Sequence, residues 1–336
     1  MHLKIVEASV GRRYKAAWFL GQFLIKTIGN LLNPENVHLR RTVLGWAIGV
    51  LVSAILAFIV ANNFPGPSGK FVLTTQDGGS SGHAIFSALG IGVLIAGFVF
   101  GFFDATLGMG YGTTLTPLLM IFGFSPSQIV PAILLSQFVM GLTGGIMHHR
   151  VGNVDFTPGG VHFRVAAVLG ICSVVGSVAA VVLAVRLSET VLGGIIGILV
   201  IAAGITILAT IKARFGFSWR KIAALGILAA FNKGISGGGY GPVVTGGQML
   251  AGLEPRNAVG ITSLAEGLTC LVGFIIYIIL KQGLDCSLAP ALVIGGMLCL
   301  PFSAWTVKRL PMANLKLVIG VVTLGLGMAA LWTVLR

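Results

Sequence analysis

The segment Phe102 to Gly112 reads FFDATLGMGYG, and 129 residues later the segment Phe231 to Gly241 reads FNKGISGGGYG. The same offset, kept without a gap, pairs three further positions with identical residues: Thr116 with Thr245, Gly123 with Gly252 and Pro126 with Pro255. The chain therefore carries an internal duplication, with a glycine-rich break inside a long apolar stretch of each copy. Backbone without helical hydrogen bonds is tolerated at membrane depth only where it lines a protein cavity. This arrangement is typical of a transporter.

The composition indicates an integral membrane protein. Hydrophobic residues make up 56% of the 336 and charged residues 9%, whereas a soluble domain of this size needs more polar surface. Several stretches approach or exceed the roughly 20 apolar residues that cross a bilayer core: Val43 to Val60, Val165 to Val185, Val191 to Ile211, Ala258 to Leu280 and Leu317 to Leu335. Residues 1–30 lack the pattern of a cleavable signal peptide, so we expect this segment to be retained.

The formal net charge of +13 does not indicate nucleic-acid binding, because Lys and Arg lie in short loops at helix ends and form no basic stripe. The cysteines form no CxxC pair and no Cys/His cluster with metal-ligand spacing: they are Cys172, Cys270, Cys286 and Cys299. We therefore expect no metal site and no cofactor.

The distribution of Lys and Arg predicts the orientation of the chain by the positive-inside rule. The basic N-terminal region lies in the cytoplasm, a first span near Leu44 to Asn62 crosses outward, and the basic loop Lys212 to Lys221 lies inside. On this count the segment His83 to Gly123 enters and returns on the outside as a hairpin of two short helices, and Pro126 to Met147 crosses inward. The second copy is then inverted, and the C-terminus lies outside.

The predicted fold class is an all-α polytopic membrane protein with two inverted-topology repeats, each with a glycine-broken helical hairpin, and one additional N-terminal transmembrane helix. The predicted parts are a cytoplasmic amphipathic segment (1–40), the additional helix (41–62), an extracytoplasmic loop (63–83), repeat 1 (84–212) and repeat 2 (222–336). Inverted repeats with broken helices are a recurring plan of secondary transporters, with the substrate near the midplane.

The glycine breaks are candidate parts of a substrate site. Glycine lets the backbone approach a ligand closely, and a helix that restarts after a break offers free N–H groups and a positive dipole end to an anion. We expect helices to restart after Gly112 and after Gly241. The substrate-binding candidates here are Gly108, Gly110, Tyr111, Gly112, Ser236, Gly237, Gly239, Tyr240 and Gly241. The alternative is that these glycines only allow close helix packing.

Ionisable residues inside spans are costly, so each indicates a functional hypothesis. Asp104 and Lys233 occupy equivalent positions beside the two breaks, where an ion pair between them would cross the repeat interface. We expect Lys233 to attract the anion and Asp104 to balance it or to titrate during transport. The alternative is a pair that only holds the repeats together.

Glu266 is the second candidate for proton coupling, because it corresponds to the neutral Gln137 in the other copy. A carboxylic acid that stays protonated and serves only as a hydrogen-bond donor is the alternative. Nearby polar side chains that offer donors to a bound anion are Ser136, Gln137, Thr262 and Ser263. Hydrogen bonds from the hydroxyls to their own helices are the other reading.

Several motifs together resemble a known family. They are GMGYG at Gly108 to Gly112, RVGNVDF at Arg150 to Phe156, SGGGYGP at Ser236 to Pro242 and LEPRNAVGITSL at Leu253 to Leu264. Over Ala84 to Trp332 the chain resembles the sulfite exporter TauE/SafE family of membrane permeases. The resemblance implies an inverted-repeat permease that moves sulfite or small organosulfonate anions.

An enzymatic function is not expected. Gly234 to Gly237 matches the GxSG motif of intramembrane serine proteases, but such a protease needs a histidine base, and the last histidine of the sequence is His162. No phosphate-binding loop indicates ATP-driven transport.

The N-terminal extension leaves two alternatives open. Tyr14 to Leu32 mixes aromatic and aliphatic residues with lysines, which predicts a helix on the cytoplasmic membrane surface or a docking segment for another subunit. The additional span is a candidate contact in a homodimer.

The sequence therefore predicts a proton-linked secondary transporter that exports sulfite or a small organosulfonate across the inner (cytoplasmic) membrane. Its predicted partners are the sulfur-containing anion, protons and the lipid bilayer. The alternatives are an anion channel or uniporter of the same fold, and an importer of an organosulfonate or small carboxylate.

Overall fold

The computed structural model describes residues 88–209, 218–250, 253–280, 285–307 and 312–335. The regular elements of these ranges are α-helices: α1 (Ala88–Leu107), α2 (Tyr111–Ile121), α3 (Pro126–Arg150), α4 (Val161–Arg186), α5 (Glu189–Ala209), α6 (Trp219–Ser236), α7 (Tyr240–Leu250), α8 (Pro255–Leu280), α9 (Ala289–Thr306) and α10 (Met312–Leu335). The predicted N-terminal surface helix, the additional span and the loop 63–83 lie outside the described residues.

Six of the described helices are long and apolar enough to cross a membrane, namely α1, α3, α4, α5, α8 and α9. Their outward faces carry bare aliphatic side chains, such as Ile171 on α4 and Ile198 on α5, which are 71% and 60% exposed. Lipid is the solvent that matches such faces. The prediction of a multi-pass, all-helical membrane protein is therefore confirmed for the described part of the chain.

The two short helices follow the duplication residue by residue. Helices α2 and α7 each have 11 residues, and their first residues, Tyr111 and Tyr240, are 129 positions apart. The expected restart after Gly112 and Gly241 was wrong, because both glycines lie inside the helices. The expectation of two short hairpin arms was also wrong, since α1 has 20 residues and only α2 is short.

The main helix contacts join helices of the first half of the chain to helices of the second half. Helix α1 packs on α9, and its counterpart α6 packs on α4, while α3 crosses α8 and α5 crosses α10. The backbones of α3 and α8 lie in contact where they cross, since a Cβ at Gly141 would collide with the backbone of Gly267. Each half therefore buries its helices largely against the other half.

The interior beside the second break is an apolar core. Tyr240 and Val244 of α7 belong to one hydrophobic cluster with Leu169 of α4, Ala229 of α6 and Ile261 of α8, and all five are fully buried. Helix α7 therefore shares its core with helices of both halves of the chain.

Candidate functional site

The two breaks begin with the same backbone conformation. Helix α1 ends at Leu107 and α6 ends at Ser236, and the next residues, Gly108 and Gly237, have φ angles of 68° and 69°. This left-handed conformation is strained for residues with a Cβ, which accounts for glycine at both positions.

The breaks lie directly against each other. A Cβ at Gly112 would collide with the carbonyl of Gly237, and a Cβ at Gly241 would collide with the carbonyl of Gly108. Because the contact is reciprocal, each motif provides the surface against which the other packs. Several of the glycines singled out as ligand contacts therefore serve backbone-to-backbone packing here.

One threonine at each break joins it to the short helix of the other half. Thr116 Oγ1 donates to the Ser236 carbonyl at 2.9 Å, and Thr245 Oγ1 donates to the Gly108 carbonyl at 2.8 Å. A helix that ends inside the protein leaves carbonyl groups without intrahelical partners, and these hydroxyls satisfy one such group at each break. Sequence reasoning missed this role, although the identical residues at the 129-residue offset were the available signal.

A buried polar cluster lies beside the breaks. Lys233 Nζ is 2.7 Å from Glu266 Oε1 and also donates to Gln137 Oε1. Gln137 Nε2 lies 3.1 Å from both Glu266 Oε1 and Asp104 Oδ2. These four side chains come from α1, α3, α6 and α8, and we call them the central cluster. Asp104 and Lys233, and likewise Gln137 and Glu266, are equivalent positions of the duplication.

The ion pair of the central cluster differs from the expected one. Lys233, which is fully buried, pairs with Glu266 and not with Asp104, whose carboxylate is reached through Gln137. The reason is the crossing of α3 and α8, which brings Gln137 and Glu266 together between the two positions that the duplication relates. Fully ionised, the cluster has two carboxylates and one ammonium.

Asp104 also occupies the N-terminus of α2. The Tyr111 N–H donates to Asp104 Oδ1 at 3.1 Å. The free N–H expected to receive an anion at this break is thus held by a carboxylate of the chain itself, as is favourable at the positive end of a helix.

A small cavity adjoins the cluster. Its volume is about 10 Å³, enough for about one water molecule. Its lining residues are Asp104, Ala105, Gln137, Met140, Gly141, Ser263, Glu266 and Leu300. Of the predicted polar ligand groups, Gln137 and Ser263 therefore reach this central cavity, together with both carboxylates predicted to couple protons.

The other predicted side chains make contacts within the protein. Tyr111 donates its hydroxyl to the Leu292 carbonyl at 3.3 Å and accepts from Ser136 Oγ at 3.1 Å. The Thr262 hydroxyl lies 2.9 Å from both Thr245 Oγ1 and Gln248 Nε2. These groups brace the short helices and do not line the central cavity.

The second break shows the same inward bracing. Tyr240 is fully buried, with its hydroxyl 3.5 Å from Ser173 Oγ. Ser236 Oγ donates to the Asn232 carbonyl at 2.8 Å and lies 3.1 Å from the Gly238 N–H. The serine of the GxSG motif is thus engaged by the turn that ends α6.

A larger, open cavity lies at the N-terminal end of α8, and we call it the vestibule. Its volume is about 480 Å³. It is lined by His149, Gly152, Val154, Asp155, His162, Glu254, Arg256 and Asn257. Most of these residues belong to the RVGNVDF and LEPRN segments, which join α3 to α4 and α7 to α8. The lining carries charged groups of both signs, so it has no simple preference for an anion.

A sequence model of the family described as sulfite exporter TauE/SafE matches residues 93–330. The chain belongs to this family. A curated relative, the "Probable membrane transporter protein YtnM" of Bacillus subtilis (strain 168), is 29% identical over 217 residues, which cover 61% of this chain and 70% of the relative. No solved structure matches the chain.

The TauE/SafE match covers both glycine breaks, the four residues of the central cluster and the vestibule. The chain is therefore a membrane transporter of the TauE/SafE sulfite exporter family, and the interpretation of its fold as a permease is confirmed at that level.

Proposed function

We propose that the protein is a secondary transporter that exports sulfite or a small organosulfonate anion across the cytoplasmic membrane by alternating access of two inverted repeats. The observation that carries the proposal is the buried central cluster, which concentrates the hydrogen-bond donors Lys233, Gln137 and the Tyr111 N–H between the halves of the chain, where a bound anion would replace the carboxylates they now contact. Sulfur oxyanions are bound by such donor sets.

The exchanged helix packing supports inverted repeats. Strong contacts either join a helix to its own counterpart, as in α3 with α8, or occur in counterpart pairs, as in α1 with α9 and α6 with α4. A pseudo-twofold axis produces this pattern, and in transporters with such repeats one half rocks against the other. The positive-inside count adds a cytoplasmic N-terminus and an extracytoplasmic C-terminus.

The charge of the central cluster supports coupling to protons. Two carboxylates and one ammonium leave an excess negative charge, and a further anion would increase it in a medium of low dielectric constant. One proton on Asp104 or Glu266 removes the excess. When the proton is on Asp104, it also frees a donor, because a protonated Asp104 holds the Tyr111 N–H less strongly. Anion and proton therefore bind together.

The size of the central cavity supports alternating access. A volume of about 10 Å³ is too small for a sulfur oxyanion. The anion enters only after the halves separate around the cluster, which is the movement that inverted repeats permit.

Two alternatives are kept. In an anion channel or uniporter of the same fold, Glu266 is only the structural partner of Lys233, as their ion pair allows. In an importer of an organosulfonate or small carboxylate, the same cluster works in the opposite direction. A homodimer through the additional N-terminal span remains part of the proposal for partners.

The test is flux into or out of proteoliposomes, with and without an imposed pH gradient. We expect sulfite, or a sulfonate such as taurine or sulfoacetate, to accumulate only with the gradient, and Lys233→Ala to abolish the flux. In Glu266→Gln the remaining flux should lose its dependence on the gradient. Unchanged dependence in Glu266→Gln would favour the channel or uniporter. Absence of flux for every sulfur anion in a folded preparation would reject the proposed substrates.

A further inference from the structure

We propose that residues 151–160, the segment between α3 and α4 that we call the strap, are the gate that separates the vestibule from the central cavity. The proposal rests on the proposed function, because a gate has a role only if a solute reaches the central cluster.

The middle of the strap is inserted into the protein. Asn153 and Val154 are 1% and 3% exposed, although Gly152 and Asp155 on either side are exposed. Val154 lines the vestibule and packs so tightly on α8 that a Cβ at Gly260 would collide with it. One face of the strap therefore bounds the vestibule, and the other faces inward.

The inward contacts of the strap adjoin the lining of the central cavity. On α8, Gly260 lies one helical turn from Ser263, and on α9, Ala304 lies one turn from Leu300. Ser263 and Leu300 both line the central cavity, as does Ala105 of α1. The strap thus covers the end of the cavity that points toward the vestibule.

Three hydrogen bonds of Asn153 and His148, which we call the latch, hold the strap at this end of the central cavity. Asn153 Nδ2 lies 2.9 Å from His148 Nδ1 and donates to the Ala304 carbonyl at 2.9 Å. His148 Nε2 lies 3.0 Å from the Ala105 carbonyl, which can only accept. All three bonds form together when the His148 imidazole is neutral with its proton on Nε2. The latch thus joins the strap directly to α9 and to His148 of α3, and His148 in turn contacts α1.

The closed strap leaves one polar atom unsatisfied. Asn153 Oδ1 is buried and has no hydrogen-bond partner, which is unfavourable for a buried acceptor. When the strap moves into the vestibule, this oxygen can accept a hydrogen bond from water. That bond offsets part of the free energy lost when the latch hydrogen bonds break. A gate needs such a balance between its two positions, and a permanent strut does not.

The strap has glycines suited to a hinge at both ends. Gly152 and Gly159 have φ angles of 76° and 87°, and a Cβ at either would meet nothing within 4 Å. Between them the Thr157 hydroxyl and N–H donate to Asp155 Oδ1, which holds the pKa of this exposed carboxyl below its usual value. The middle of the strap therefore keeps its shape while the ends rotate.

The test is the accessibility of a cysteine at the central cavity, introduced as Ser263→Cys in the full chain in proteoliposomes. A membrane-impermeant maleimide is added without any solute, and labelling of position 263 is followed by peptide mass spectrometry, which separates it from the native cysteines. We expect Asn153→Ala to raise the labelling rate by about tenfold or more, since two hydrogen bonds of the latch are lost. An Asp155→Cys reporter identifies the membrane face on which the vestibule opens.

The matched control is Asn257→Ala, which removes an asparagine from the same vestibule without touching the latch. It should label at the parent rate. Equal rates in Asn153→Ala and the parent would overturn the proposal. If Asn153→Ala does not fold, Asn153→Ser, which keeps one donor, should give an intermediate rate; failure of both to fold would make the strap a strut and also reject the gate. Because no solute is present, faster labelling without sulfur-anion flux rejects only the proposed substrates.

Discussion

At the scale of single residues, the central cluster links the duplicated sequence to chemistry. Four positions related in pairs by the 129-residue offset meet in one hydrogen-bonded group. An exact duplication would place the same residue at both equivalent positions. In this chain the equivalent positions differ: Asp104 corresponds to Lys233, and Gln137 corresponds to Glu266. The differences between the copies turn a symmetric contact into an ion pair with an additional carboxylate.

The first prediction concerns the partner of Lys233. Lys233→Met leaves Glu266 and the Gln137 carbonyl without their buried cation, and we expect a loss of about 3–5 kcal/mol in the free energy of unfolding. Lys233→Met/Glu266→Gln should recover most of that loss, because the carboxylate that paired with Lys233 is removed together with it and Asp104 keeps its hydrogen bonds from the Tyr111 N–H and Gln137. Thermal unfolding in detergent and flux in proteoliposomes measure the two effects.

The control for this prediction is Lys233→Met/Asp104→Asn, which should not recover the stability, because Asp104 is not the ion-pair partner of Lys233. Transport should stay absent in every variant that lacks Lys233. Restored transport in Lys233→Met/Glu266→Gln would mean that the pair serves only the fold.

At the scale of helices, the breaks are packing surfaces as much as turns. The motif glycines at Gly112 and Gly241 lie within short helices and not at the turns, and each faces a carbonyl of the opposite break. Glycine is needed there because two backbones touch. Thr116 and Thr245 then supply donors to the carbonyl groups that the broken helices leave open.

The second prediction is a loss of stability in Gly112→Ala. The added methyl group is directed at the Gly237 carbonyl, so the breaks must separate, at a cost of about 1–3 kcal/mol. Gly194→Ala is the matched control, because Gly194 lies inside α5 with nothing within 4 Å of a Cβ. That variant should be neutral or more stable by up to about 1 kcal/mol. Equal unfolding temperatures for the two variants would show that the contact between the breaks does not constrain the fold.

At the scale of the whole molecule, polar groups are concentrated between the halves and aliphatic groups face outward. The central cluster is buried, whereas Ile171, Ile198 and Ile279 are more than half exposed. In water such a surface would be unstable, and in a bilayer it is the favourable one. Because a charged side chain is most unfavourable at the centre of the bilayer, a lysine substitution measures how deep in the membrane an exposed position lies.

The third prediction uses that depth. Ile198 lies near the middle of α5 and Ile279 one residue from the end of α8, with exposed fractions of 60% and 72%. Ile198→Lys should reduce membrane insertion, since a charge at the centre of a span costs about 2.5–3.5 kcal/mol on insertion scales. Ile279→Lys should insert nearly as well as the parent, because a lysine at a helix end reaches the interface. Equal yields of inserted protein would contradict the assignment of α5 as lipid-facing at this depth.

The sequence alone was sufficient for the class of the protein, the family and the residues of the central cluster. Hydropathy indicates the medium that surrounds the chain, and glycine indicates where the backbone can leave the helical conformation. Both are local properties of the sequence. Asp104, Lys233 and Glu266 were identified because a charge inside a span is costly whichever residue it contacts, and Gln137 because it is the equivalent position of Glu266 in the other copy.

Only the tertiary structure decided which of these residues touch. Lys233 pairs with Glu266 and not with Asp104, His148 joins α3 to the C-terminal end of α1, and Asn153 joins the strap to the C-terminal end of α9. These contacts depend on the angle and register at which distant helices cross, which no local pattern encodes. Several motif glycines proved to be packing contacts for the same reason, since the close approach of two backbones is a property of the pair. The sequence determined the medium and the inventory of buried charges, and the helix crossings determined their partners.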